Sequence, residues 1–142
     1  MGIERIFLSD DAATAVLGAR LAAELKPGSL VLLQGGLGAG KTALARALIR
    51  TLAGDEGLDV PSPSFALVQP YETLGGPLLH ADLYRLTGPR EVDELGLFDR
   101  PEAIVIVEWP ERAGGELMSR AAILVTLSIP ADGHGRVAEI VR

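Results

Sequence analysis

Residues 30–42, LVLLQGGLGAGKT, constrain the fold of this chain more than any other stretch. Four consecutive apolar residues, Leu30–Leu33, indicate a strand that is buried on both faces of a sheet. The loop that follows, Gly35–Thr42, matches the phosphate-binding pattern G-x-x-x-x-G-K-[ST]. Strong helix formers then fill residues 43–50. This order of strand, glycine loop and helix predicts an α/β protein that binds the phosphates of a nucleotide.

The residue types in this loop suit phosphate binding. Glycines let backbone N–H groups converge on phosphate oxygens, and the start of a helix adds unpaired donors and the positive end of its dipole. Lys41 would reach the β- and γ-phosphates, and the Thr42 hydroxyl would bind Mg²⁺. The residues predicted to bind the nucleotide here are Gly35, Gly36, Leu37, Gly38, Ala39, Gly40, Lys41, Thr42 and Ala43.

Composition limits the other functions open to the chain. Its 142 residues fit one domain, spanning residues 1–142, with a single core. The chain has 13 basic and 19 acidic residues, so it is poorly suited to holding nucleic acid by phosphate neutralisation alone. Cysteine is absent, which excludes disulfides and thiolate sites. No apolar run approaches the ~20 residues of a membrane helix, and we expect a cytoplasmic protein.

A carboxylate follows a second strand of the buried kind. Residues Ile104–Val107 are all β-branched and apolar, and Glu108 comes directly after them. Ligands of open α/β sheets bind at the carboxyl ends of parallel strands, where P-loop proteins keep the acid that holds Mg²⁺ directly or through water. The sequence therefore predicts that Glu108 serves the metal. The alternative is a structural acid that caps the next helix.

A set of polar residues lies between these two apolar strands in the sequence. His80, Asp82 and Tyr84 alternate along a predicted strand, so they would share one face, directed either to solvent or to a charged ligand. The preceding loop, residues 54–64, carries Ser62 and Ser64, whose hydroxyls would lie near the metal or the phosphate unless the loop is an ordinary surface turn.

The remaining elements are predicted from periodicity and end signals. We expect an edge strand over residues 3–8, a helix capped by Ser9 or Asp10 that runs to about Leu25, and a helix from the glycine loop to about Gly54. Further predictions are a hairpin of strands over 65–71 and 78–83, a short helix over 89–95, and two closing strands over 122–129 and 135–141.

Four of these stretches together resemble the TsaE (YjeE) family, the ATPase component of bacterial tRNA threonylcarbamoyladenosine synthesis. The family pattern has a loop of the LGAGKT type, then SPT[FY], HxDxYR and EWP. Here the matching residues are 37–42, 62–65, 80–85 and 108–110, in the same order over nearly the whole chain. Two positions depart from the pattern: Gly36 stands where the family often has Asp, and Ser64 where it usually has Thr.

The resemblance implies a P-loop NTPase-like three-layer α/β fold, with a mainly parallel sheet, antiparallel additions and flanking helices. It implies that Mg²⁺ with ATP or ADP is the cofactor, held by Thr42 and Glu108, and that Asp82 either helps the metal or positions water. Catalytic roles then fall to Lys41, Asp82 and Glu108. It also implies slow ATP hydrolysis stimulated by the partner proteins TsaB and TsaD, with tRNA contacted only through that complex.

Two other functions remain open at this stage. A small-molecule or nucleotide kinase usually needs an arginine-bearing lid after the P-loop helix, and residues 54–64 contain no arginine. A binding module would use ATP to stabilise a shape that its partner recognises, without hydrolysis. Further predicted contacts with the base or ribose are Asp11, Glu111 and His134. His134 and its neighbour Arg136 have no position that the sequence fixes.

Overall fold

A computed structural model describes residues 2–142 of the chain. Its strands are β1 Ile3–Leu8, β2 Leu30–Gln34, β3 Val68–Thr73, β4 Gly76–Asp82, β5 Ile104–Glu108, β6 Ile123–Ser128 and β7 Arg136–Val141. Its helices are α1 Asp11–Ala22, α2 Lys41–Ala53, α3 Arg90–Asp93 and α4 Glu116–Arg120, with a 3₁₀ turn over Pro110–Ala113.

The strands of the described residues join in one seven-stranded sheet with the order β1-β7-β6-β2-β5-β4-β3. The four central strands, β6, β2, β5 and β4, are parallel to one another. The outer pairs β1–β7, β6–β7 and β3–β4 are antiparallel. This arrangement confirms the predicted α/β fold: the central strands are parallel, antiparallel strands are added on both sides of them, and helices flank the sheet.

Helices cover both faces of the central strands, which explains their uninterrupted apolar runs. On one face, α1 and α2 pack on alternate residues of the strands, Val31, Leu33, Ile106 and Val125 among them. On the other face, the segment from Leu83 to Ala121 packs on Leu32, Val105 and Val107. The sheet is thus the middle of three layers.

Helix α1 begins and ends where local chemistry requires. The Asp10 side chain accepts a hydrogen bond from the Ala13 N–H at 2.9 Å, so Asp10 is the residue that caps the helix. The helix ends at Ala22, about a turn before the predicted Leu25, because the N–H groups of Glu24 and Leu25 bond to carbonyls three residues back. Gly18 faces Ala47 of α2 so closely that any added Cβ would collide with the Ala47 methyl group.

The first hairpin differs from its prediction at both outer ends. Strand β3 begins at Val68 rather than Phe65, because the Leu67 N–H bonds back to the Pro63 carbonyl and Leu67 takes a positive φ of 68°. Strand β4 ends at Asp82, so Tyr84 is not on a shared strand face as predicted. The chain turns there because the Asp82 carboxylate accepts a hydrogen bond from the Tyr84 N–H at 2.9 Å.

A group of ion pairs joins the closing strand to the first two elements. The Arg142 guanidinium donates to both carboxylate oxygens of Glu24, at 2.7 and 2.8 Å, and to Glu4 at 3.1 Å. Arg20 of α1 lies 2.7 Å from the same Glu4 carboxylate. Hydrogen bonds from Arg142 lower the pKa of the Glu24 carboxyl below its ordinary value.

Candidate functional site

The glycine loop connects the carboxyl end of β2 to the first residue of α2. Gly40 occupies the position before the helix with a φ of +105°, a left-handed conformation that glycine adopts without strain. At Gly35 a side chain would collide with the Leu127 carbonyl oxygen of β6. The loop can therefore lie close against the sheet, and the N–H groups at the start of α2 are left for an anion.

Lys41 folds back across this loop. Its ammonium group donates hydrogen bonds to the carbonyl oxygens of Gly35 and Gly36, both at 2.8 Å. The Trp109 ring covers the same group, with its centroid 4.2 Å from Nζ. Burial lowers the pKa of the Lys41 ammonium, and the nearby carboxylates of Glu108, Glu111 and Asp82 oppose that shift.

Thr42, in the first turn of α2, contacts Glu108, the last residue of β5. The Thr42 hydroxyl donates to Oε1 of Glu108 at 2.8 Å. The second carboxylate oxygen, Oε2, lies 2.7 Å from Nε2 of His80. Both Glu108 and His80 are almost completely buried, with 2% and 0% of their side chains exposed. Glu108 caps no helix, which removes the alternative that the sequence left open.

Asp82 lies at the end of β4, and its two oxygens have different surroundings. Oδ1 accepts the hydrogen bond from the Tyr84 N–H. Oδ2 receives longer contacts from the hydroxyls of Ser62 and Ser64, at 3.4 and 3.5 Å. The serine loop is thus not an ordinary surface turn: it contacts the acid at the end of β4. Oδ2 keeps capacity to accept a further hydrogen bond.

The site contains a cavity of about 310 Å³. Its wall includes Lys41, Thr42, Asp82 and Glu108, together with the two serines and Trp109. Mg²⁺ binds oxygen ligands, keeps several waters and commonly uses one or two carboxylates plus substrate phosphates. The adjacent oxygens of Thr42 and Glu108 fit that preference. Within residues 2–142, no group of three or more acidic or histidine side chains is arranged to hold a metal without such additional ligands.

The other predicted contact residues lie apart from this cavity. Asp11 lies in the first turn of α1 and lines a separate groove of about 950 Å³ between α1 and α2. Glu111 lies in the 3₁₀ turn after β5, near enough for its charge to act on Lys41. His134 is exposed in the loop between β6 and β7, where its N–H bonds to the Asp132 carboxylate. Their assignment to the base or ribose stays a prediction.

Several contacts of the site are not evident from the sequence. The His80–Glu108 hydrogen bond joins residues 28 positions apart, and Arg136 of β7 donates to the Gly38 carbonyl across 98 positions. Trp109 packs over Lys41 and lies 4.7 Å from the Tyr84 ring. The one available signal is the alternation of His80 with Asp82, which places both on one strand face.

Every helix in the described part of the chain is too short or too polar to cross a bilayer.

Comparisons with known proteins agree with the motifs. A family model described as threonylcarbamoyl adenosine biosynthesis protein TsaE matches residues 8–137. A Rickettsia felis protein named tRNA threonylcarbamoyladenosine biosynthesis protein TsaE is 40% identical over 137 residues, which cover 96% of this chain and 78% of that protein. A Synechocystis protein of the same name is 46% identical over 112 residues, or 75% of this chain and 69% of the relative.

A solved structure has the same fold. The crystal structure of YdiB from Bacillus subtilis matches this chain with a TM-score of 0.71 at 22% sequence identity. The match covers 98% of this chain and 84% of that one. At this identity the likeness bears on the fold alone.

Proposed function

The chain belongs to the TsaE family of threonylcarbamoyl adenosine biosynthesis proteins, and from this premise we propose that it is a slow, Mg²⁺-dependent ATPase. Its place is in the formation of threonylcarbamoyladenosine in tRNA, as in the relatives that carry this name. In this proposal ATP hydrolysis acts on the cycle of a complex of TsaB and TsaD, which transfers the threonylcarbamoyl group to the adenosine beside the anticodon. The protein itself contacts tRNA only through that complex.

The observation that carries the proposal is the hydrogen bond between Thr42 and Glu108, 2.8 Å long, in the wall of the same cavity as Lys41 and Asp82. The P-loop supplies backbone donors and an ammonium for the phosphates. The threonine and the glutamate supply two oxygen ligands for the metal. The register of the sheet brings these oxygens together, since Leu33, one residue before the end of β2, pairs with Glu108 of β5.

The residues of the chain divide the work of hydrolysis. A water oxygen bonds to the γ-phosphorus as the bond from that phosphorus to the bridging oxygen breaks, which yields ADP and inorganic phosphate. Asp82 accepts a hydrogen bond from the water at Oδ2 and so orients it. Lys41 offsets the negative charge that develops on the leaving phosphate oxygen. Thr42 and Glu108 would hold Mg²⁺, which would offset negative charge on the phosphates.

The charges around the cavity support a low rate in the isolated protein. Among the described residues that line it, Lys41 is the one cationic side chain, and no arginine is present. An arginine directed at the transferred phosphoryl group is worth about 10³- to 10⁵-fold in related reactions. Lys41 is also bonded to two loop carbonyls, which a nucleotide must displace. Both features favour stimulation by a partner.

The loop after α2 does not resemble a kinase lid. Arg46 and Arg50 of α2 donate hydrogen bonds to the carbonyls of Val60 and Leu58, at 3.1 and 2.8 Å. These arginines hold the loop against α2. They line the groove between α1 and α2 and do not line the cavity beside the glycine loop, where the second substrate of a kinase would bind.

Phosphate release from ATP by the purified chain, alone and with TsaB and TsaD, tests the proposal. We expect slow Mg²⁺-dependent release that rises when both partners are added, and restored tRNA modification in the complete reaction. Formation of a phosphorylated small molecule would identify a kinase. Stable ATP binding with no release under any of these conditions would identify a binding module.

A further inference from the structure

We propose that His80 is a positioning residue for the metal ligand Glu108: it fixes one carboxylate oxygen so that the other faces Thr42. This inference rests on the proposed function, because it concerns the Mg²⁺ that Thr42 and Glu108 would bind. His80 is fully buried and does not line the cavity, so the role proposed for it is to position Glu108 and not to contact the nucleotide.

The hydrogen bonds of Glu108 are divided between its two oxygens. Oε2 lies 2.7 Å from Nε2 of His80, and Oε1 accepts the hydrogen bond from Thr42 at 2.8 Å. A carboxylate is an acceptor, so Nε2 carries the proton of this hydrogen bond. With Oε2 engaged on the buried side, rotation of the carboxylate would break a hydrogen bond inside the core, where the loss is costly. Oε1 is thereby held at the cavity.

His80 is a polar residue in an apolar part of the core, and its contact with Glu108 explains why a polar residue lies there. His80 is fully buried on the same strand face as Leu78, which packs in the core beneath α2. Its other ring nitrogen, Nδ1, has no hydrogen-bond partner among residues 2–142. A buried polar atom without a partner destabilises the folded protein. In the described structure, the hydrogen bond to Glu108 is therefore the contact that offsets the burial of this imidazole.

Charge also links the two residues. Glu108 is 2% exposed, and an isolated buried carboxylate is unfavourable unless hydrogen-bond donors surround it. His80, Thr42 and the ammonium of Lys41 are the groups that stabilise its negative charge. Groups that hydrogen-bond a metal ligand in this way typically change metal affinity about 10- to 100-fold when removed.

Two polar substitutions of similar size separate positioning from simple packing. In His80→Gln, the terminal amide nitrogen extends about as far as Nε2 and can still donate to Glu108. In His80→Asn, the shorter amide ends near Nδ1 and cannot reach Oε2. Leu78→Val provides a control, because it disturbs the same buried strand face without touching a hydrogen bond of Glu108.

The measurement is ADP binding by calorimetry over a series of Mg²⁺ concentrations and in EDTA, with urea unfolding of each variant. We expect His80→Asn to raise the Mg²⁺ concentration needed for half-maximal enhancement of ADP binding about 10- to 100-fold. Its Kd for ADP in EDTA should stay within about threefold of the wild-type value. His80→Gln and Leu78→Val should keep the wild-type Mg²⁺ dependence. In a Glu108→Gln background, His80→Asn should not change the required Mg²⁺ concentration any further. This comparison does not depend on equal stability of the variants.

The proposal is overturned if the Mg²⁺ concentration that His80→Asn needs stays within threefold of the wild-type value. It is also overturned if His80→Gln and His80→Asn raise that concentration equally. A wild-type chain that binds ADP with no dependence on Mg²⁺ is a different failure. It would overturn the metal assignment of the proposed function, and the role of His80 together with it.

Discussion

Arg136 holds the tip of the glycine loop: its Nε and Nη2 atoms both donate to the Gly38 carbonyl oxygen, at 3.1 and 3.0 Å. The same guanidinium donates to the carbonyl of Gly135, its neighbour in the chain, at 2.6 Å. The first residue of β7 thus braces a loop that belongs to β2 and α2. A brace of this kind would reduce the entropy that the loop loses in the proposed binding of phosphates.

Arg136→Gln should therefore weaken ADP binding without abolishing it. The lost hydrogen bonds are solvent-exposed, so we expect about 1 kcal/mol, or roughly fivefold in Kd. Calorimetry with Mg²⁺ and ADP measures this change. Arg5→Gln is the matched control, since Arg5 is an exposed arginine on the adjacent strand with one long ion pair to Glu139. Equal affinities of the two variants would contradict the brace.

Lys41→Ala should weaken Mg-ATP binding more strongly. The variant removes a charged donor from the phosphates, which we expect to cost about 2 kcal/mol, or roughly 30-fold in Kd. Lys26→Ala is the control, because Lys26 is the other lysine of the chain and lies in the turn before β2. Thr42→Ala should show a comparable loss that is confined to binding with Mg²⁺ present. Unchanged affinity in the Lys41 variant would refute the phosphate assignment.

Asp82→Asn should reduce turnover far more than ADP binding. The amide keeps an oxygen for the Tyr84 N–H but places an NH2 donor where Oδ2 accepted the hydrogen bond from water, so we expect about a 100-fold loss of kcat with Kd for ADP within threefold. Single-turnover phosphate release in the presence of the partners provides the rate. Asp93→Asn, on the exposed side of α3, is the comparison variant. Normal hydrolysis by the Asp82 variant would show that this residue is misassigned.

Glu24→Gln should lower stability at neutral pH and lose its effect in acid. Hydrogen bonds from Arg142 lower the pKa of Glu24 below 4.5, so the folded state holds its proton less tightly than the unfolded state. The contribution is present above pH 4.5 and disappears as pH falls through the lowered pKa. Solvent screening limits it to about 0.5 kcal/mol. Urea unfolding of both proteins at pH 7 and pH 3 measures it, and an equal difference at both pH values would exclude the mechanism.

Gly18→Ala should destabilise the protein through the packing of α1 on α2. The new methyl group would collide with that of Ala47, so the helices must separate, which costs about 1–3 kcal/mol. Gly115→Ala is the control, because its Cβ would meet no atom within 4 Å and its φ of −79° suits any residue. A thermal unfolding midpoint in the Gly18 variant equal to that of the control would mean that the helices accommodate the methyl group.

Local patterns predicted the elements that lie close to the glycine loop. The apolar runs of β2 and β5, the glycine loop and the helix formers of α2 all depend on neighbours in sequence, and the structure has each of them. The strand predicted to begin at residue 65 begins at Val68. Leu67 instead takes a positive φ, its N–H donates to the Pro63 carbonyl, and its own carbonyl accepts from the Asp82 N–H, a contact 15 positions away that no local pattern specifies.

Long-range contacts explain what the sequence did not predict. For His80 the sequence offered solvent or a charged ligand as partners, and the structure provides Glu108 inside the core. Burial of this pair depends on β4 lying beside β5, which no local pattern specifies. The contact of Arg136 with Gly38 similarly requires β7 to lie at a particular place in the sheet. Roles of individual residues toward ATP and Mg²⁺ stay predictions until the variants are measured.

The pairing of Leu33 with Glu108 makes the spacing of the chain as important as its composition. Side chains alternate between the faces of a strand, so deleting a single residue from β5 would turn Glu108 away from Thr42 while leaving the apolar character of the strand intact. The exposed connection between β6 and β7 bears no such constraint at its tip. Length changes in natural variants should therefore accumulate in that connection and be absent from the two inner strands.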